Sequence, residues 1–128
     1  MKEIKATRDL LLAEVVAYAD TLNAVVAGTA NEDCYSRDAD GEECDDAYTR
    51  LDRYFEYTYD VEFIIGGRKD FRGAVVLLAS GGPTIKLDTR DGLIKGWWCS
   101  DYCERYLAQD AEKEVDEYFS EMWERVNG

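Results

Sequence analysis

The hydrophobic period of the chain changes twice, and that change limits the class of fold open to it. Leu11, Val15, Tyr18, Leu22 and Val25 recur at i, i+4, i+7, i+11 and i+14, which is one face of an α-helix. Leu12, Ala19 and Val26 widen that face, Thr7 and Asp9 read as an N-cap with an acid in the first turn, and Gly28 as the stop. A second amphipathic helix is expected from near Asp45 or Asp46, with Leu51, Tyr54 and Phe55 facing in. The period then drops to two: Tyr59, Val61, Phe63 and Ile65 alternate with Thr58, Asp60 and Glu62. Arg72 to Ala79 is apolar throughout after Gly73 and reads as an interior strand. Thr84 to Thr89 alternates again through Ile85 and Leu87, and Leu93 to Trp98 follows the hairpin signal Arg90-Asp91-Gly92. From about Gln109 to Val126 the helical period returns, with Ala111, Val115, Tyr118, Phe119, Met122 and Val126 on one face. The expected fold is α+β: a four-stranded antiparallel meander packed against two or three helices, in the order α-α-β-β-β-β-α.

At 128 residues the chain suits one domain, 1–128, and 46% hydrophobic residues supply a core without metals or disulfides. The apolar stretch Leu10 to Ala27 is interrupted by Glu14, Asp20 and Asn23, a poor membrane span. Met1-Lys2-Glu3-Ile4-Lys5 carries Glu3, and no apolar stretch with a small-residue cleavage site follows it at the distance a leader requires. A cytoplasmic protein is expected, with no membrane partner, and four cysteines as reduced thiols agree with that compartment.

Charge narrows the partners. There are 28 Asp and Glu against 15 Lys and Arg, a net −13, so phosphate backbones and anionic leaflets repel the chain. It has no histidine, which removes the commonest general base and the His-containing metal sites. No enzyme activity and no cofactor are expected. Residues 1–57 carry −8 and residues 99–128 carry −6, while 58–98 carry +1. The acidity belongs to the helices and one loop, not to the strands.

Asp110, Glu114, Glu117, Glu121 and Glu124 recur at i, i+4, i+7, i+11 and i+14 along the last helix. At about 100° and 1.5 Å per residue they fall within roughly 40° of one line and span roughly 21 Å. Like charges at i, i+4 destabilise a helix by a few tenths of a kcal/mol, so stability alone does not favour the row. It offers a line of negative charge to a basic groove; the plainer role is a solvated face that aids solubility.

The segment 31–46 adds eight acids, Asp38, Asp40, Glu42, Glu43, Asp45 and Asp46 among them, against Arg37 alone. Ser36-Arg37-Asp38-Ala39-Asp40-Gly41 is similar to half a calcium loop, but Ser36 holds the first ligand position and Ala47 the twelfth, so a turn is the expectation. Cys34-x9-Cys44 and Cys99-x3-Cys103 match zinc spacing poorly, and free thiols are expected. Gly66-Gly67-Arg68-Lys69 and Ser80-Gly81-Gly82-Pro83 lead into no helix, so they read as hairpin turns rather than phosphate cradles. Trp97-Trp98 puts one indole on each face of a strand, one for the core and one for contact. Trp98 joins the loop and helix acids as the expected partner-binding set.

A small, acidic α+β chain of this kind resembles the DNA-mimic proteins of phages and mobile elements, including anti-CRISPR and anti-restriction inhibitors. Gly81-Gly82-Pro83-Thr84-Ile85, Asp88-Thr89, Gly92 and Gly96-Trp97-Trp98 also resemble small proteins carried by conjugative elements of Gram-positive gut bacteria, over residues 58–126. The second resemblance implies no activity. The first implies a non-enzymatic inhibitor whose acids replace phosphates in the basic nucleic-acid groove of a defence nuclease. The alternative is an accessory protein of a mobile element whose acidity serves solubility and whose contact is aromatic.

Overall fold

A computed structural model describes residues 7–30, 47–58 and 60–127. Helix α1 (Thr7–Ala27) and helix α2 (Ala47–Tyr54, running into a 3-10 turn at Phe55–Tyr57) precede the sheet, and helix α3 (Gln109–Asn127) follows it. The sheet has five strands: β1 (Asp60–Ile65), β2 (Phe71–Ala79), β3 (Thr84–Asp88), β4 (Leu93–Trp98) and β5 (Asp101–Tyr106). They lie in the order β1-β2-β3-β4-β5, every neighbouring pair antiparallel.

The α+β class and the meander agree with the sequence reading, and the strand count does not: the described residues form five strands, not four. The fifth, Asp-Tyr-Cys-Glu-Arg-Tyr, has one buried side chain, Cys103, so it carries no apolar alternation to detect. Its hairpin also lacks the usual glycine, because Cys99 itself adopts φ 56° at the first turn position. The two Gly-rich segments are hairpin turns, between β1 and β2 and between β2 and β3.

Alternation along the strands gives the sheet two unlike faces. Ala74, Val76, Ile85, Leu87 and Ile94 are fully buried on the face that carries the helices. Helix α1 lies over β4 and β5 and α3 over β2, with α2 touching both helices. Leu11, Val15, Leu22 and Val25 bury the inner stripe of α1, while Leu10 and Leu12 stay exposed. This helix is long and apolar enough to cross a membrane, and its buried stripe also accounts for that composition as a core helix.

The end of α1 explains how α2 is placed. Gly28, at φ 79°, lets Thr29 N–H reach the Ala24 carbonyl (2.9 Å) and Gly28 N–H the Val25 carbonyl (3.3 Å), a Schellman closure. From α2, Arg50 donates Nε to the Val25 carbonyl and Nη2 to the Val26 carbonyl, both at 2.7 Å. A cation thus meets the negative end of the helix dipole, and the two helices are joined by charge-assisted bonds.

Candidate functional site

All five acids of the predicted row are on α3. Asp110, Glu117, Glu121 and Glu124 are exposed and Glu114 is half-buried. Ala111, Val115, Tyr118 and Phe119, buried on the adjoining face, fix the rotation of the helix and hence the direction of the row. Tyr118 O–H donates to Asp52 at 2.8 Å and its ring stacks on Phe55, so α2 holds that rotation from the side. Burial, with the hydrogen bond to Asp52, raises the Tyr118 hydroxyl well above its usual pKa and keeps it a donor. Among the described residues no ion pair engages any of the five acids. The expected loop acids Asp38, Asp40, Glu42, Glu43, Asp45 and Asp46, with Cys34 and Cys44, lie outside the described residues.

The tryptophans sit on opposite faces, as alternation requires. Trp98, the tryptophan of the expected set, is half-buried against the core, and Trp97 is the more exposed of the two, at 39%. Trp97 meets Tyr102 across the β4–β5 ladder at 5.2 Å between ring centroids, and the Lys86 ammonium lies 5.9 Å from its ring. Tyr102 donates to Glu104 at 2.8 Å, and burial together with that carboxylate pushes its pKa up to about 12.

On the same open face Asp88, at 3% exposure, is the hub of a small ion cluster. Arg90 grips it with Nη2 at 2.7 Å and Nε at 3.0 Å, and Lys95 adds a contact at 3.1 Å from the next strand. The Arg90 hydrogen bonds, aided by Lys95, outweigh burial and hold the Asp88 carboxyl at about 2, below its ordinary 3.8. A carboxyl with a lowered folded pKa stabilises the fold above its unfolded pKa and loses that contribution as pH falls toward 2. Because Arg90 is half-exposed, the contribution is discounted to about 1–2 kcal/mol. Urea unfolding is expected to show Asp88→Asn weaker than wild type by that amount at neutral pH, with the gap closing toward about pH 2.5. A gap independent of pH would show that the cluster contributes no charge stabilisation.

A cleft of about 510 Å³ opens where the first turns of α3 meet β2 and the β3–β4 turn. Arg72 and Arg90 form its sheet side, and Asp110, Glu112, Lys113 and Asp116 its helix side. Burial raises the Asp116 carboxyl above its ordinary value, against the lowering effect of a hydrogen bond from Thr89; the Glu117 charge adds to the rise. Thr89 is itself fixed, accepting from Ala74 N–H at 2.8 Å and donating its own N–H to the Ala74 carbonyl at 2.9 Å. Three cations and three carboxyls offset one another, so the cleft lacks the single-sign field of a phosphate site. Sequence reasoning missed it, because Thr89 and Asp116 are brought together only by docking of α3. Among the described residues no group of three or more Cys, Asp or Glu is placed to hold a metal ion.

The fold and site define a sheet covered by helices on one face, with an acidic helix row and an exposed aromatic pair on separate surfaces. No protein-family model, curated protein or solved structure matches the chain.

Proposed function

We propose that the chain is a non-enzymatic cytoplasmic binding protein that lays the outer face of α3 into the basic nucleic-acid groove of another protein. A bacterial CRISPR or restriction nuclease is the kind of partner meant. The support is the row Asp110, Glu114, Glu117, Glu121 and Glu124: one carboxylate every ~5 Å along a rigid helix, none bonded to a cation among the described residues. Such a row takes the place of a phosphate strand without the entropy cost of ordering a loop. Association driven this way is steered at long range and weakens steeply with salt.

The test is capture from a lysate of a bacterium that carries such nucleases, using the immobilised chain. A retained nuclease is expected to elute as salt rises and to be displaced by duplex DNA. Glu114→Gln, Glu117→Gln and Glu121→Gln together are expected to weaken retention by about tenfold or more. Retention indifferent to both salt and the triple change would overturn the reading. It would favour the second one, an accessory protein with aromatic contacts, which rests on the exposed Trp97–Tyr102 pair. In that case Trp97→Ala would abolish capture.

A further inference from the structure

The two outer strands of the sheet end it in different ways. On β1 the pairing slips between Ile64 and Ile65, and the strand carries Asp60 and Glu62, both devices that discourage a further strand. Strand β5 has no slip, and its charges Asp101, Glu104 and Arg105 are of both signs, where those of β1 are acidic only. It pairs with β4 in unbroken register from Trp98↔Asp101 to Leu93↔Tyr106, and its six residues include no Pro, Gly or Lys.

The direction of its free backbone groups follows from the hairpin. In a two-residue hairpin the closing pair, here Trp98 and Asp101, exchanges both hydrogen bonds, so residues 101, 103 and 105 turn their backbone groups toward β4. Leu107 continues that parity, its N–H donating to the Gly92 carbonyl at 2.8 Å. The N–H and C=O groups of Tyr102, Glu104 and Tyr106 therefore point away from the sheet, and no described strand meets them.

We propose that β5 pairs antiparallel with β5 of a second copy across a two-fold axis, joining two five-stranded sheets into one. Only registers that oppose outward-facing residues can form hydrogen bonds, which leaves two centred choices. One sets Glu104 against the partner's Glu104, a like-charge pair. The other sets Tyr102 against the partner's Glu104 and puts Cys103 on the axis. In that register Asp101 lies opposite the partner's Arg105, and by symmetry Arg105 lies opposite the partner's Asp101. Neither Asp101 nor Arg105 is in an ion pair within the chain among the described residues, so both charges remain for the partner. The edge is thus complementary to itself in one register and repulsive in the other, and the complementary one is assigned. Tyr102 and Tyr106, 42% and 67% exposed, lose part of that exposure as the strands join.

Light scattering and sedimentation of the full chain test this. The wild type is expected at twice 14.6 kDa. Glu104→Pro removes an outward donor, which an edge strand tolerates, and is expected to give a monomer with an unchanged circular dichroism spectrum. Asp101→Arg and Arg105→Asp each place like charges at both ends of the interface and are expected to raise the dissociation constant about tenfold or more. Their equimolar mixture is expected to recover the dimer, since each variant then meets opposite charges at both positions. A wild type that stays monomeric at millimolar concentration overturns the proposal, as does a dimer that survives Glu104→Pro. So does a mixture that associates no better than the single variants.

Discussion

Phe119→Ala is expected to cost about 3–5 kcal/mol and to lower the melting temperature by about 10–20 °C. Phe119 is the largest fully buried side chain among the described residues. Its ring lies 4.9 Å from Phe55 and 5.0 Å from Tyr118, so it joins the turn after α2 to the middle of α3. Removing it leaves a cavity among aromatic rings that Tyr118, tied to Asp52, cannot easily swing to fill. The same packing sets the rotation of α3 and the direction of its acids. Thermal unfolding and urea titration would measure it. Glu121→Ala, exposed on the same helix, is the control and is expected to stay within about 0.5 kcal/mol of wild type. A loss under about 1 kcal/mol for Phe119→Ala would mean that α3 is not docked through this ring.

How much of this was legible depended on whether a residue's role is local or long-range. Helix α1, β1, β3 and α3 announce themselves by period, because each repeats its apolar residues at 3.6 or 2; β2 shows as a continuous apolar run and β4 by the turn signal before it. The acidic row was legible for the same reason: it needs only a helix, and Gln109–Asn127 is one. Strand β5 was not, because an edge strand with one buried residue is held by backbone bonds to β4 rather than by a pattern of its own. With β5 unseen, Tyr102 had no neighbour, and the exposed Trp97–Tyr102 pair could not be read. The Asp88 cluster joins a turn residue, Arg90, to Lys95 on the next strand, a juxtaposition that requires the register of β3 on β4. Arg50, which sequence alone leaves as one more surface cation, proves to bridge α2 to the end of α1.

Gly96 is the second position where a single change has a large expected effect, and its reason is steric rather than conformational. A Cβ built there would lie 2.5 Å from Val15 Cγ2, 2.9 Å from Leu11 Cδ1 and 3.0 Å from Ile85 Cδ1. Helix α1 therefore rests directly on the backbone of β4, and the absent side chain sets the distance between helix and sheet. The Leu11 methyl can move, but Val15 is branched at Cβ and held in one rotamer within its helix, so the clash cannot be relieved by rotation alone. Gly96→Ala is expected to cost about 1–3 kcal/mol, a net in which the strain exceeds the small gain from restricting the unfolded chain. Gly96→Val adds two methyl groups to the same space and is expected to cost roughly 3 kcal/mol or more, a large share of the ~5–15 kcal/mol that holds a domain of this size. Val15→Ala in the Gly96→Ala background removes the closest clashing atom, so the double change should cost less than the sum of the two singles. A double-mutant cycle by urea unfolding would measure that coupling, expected at about 1 kcal/mol or more in the direction of rescue. Simple additivity would place the contact between α1 and β4 elsewhere.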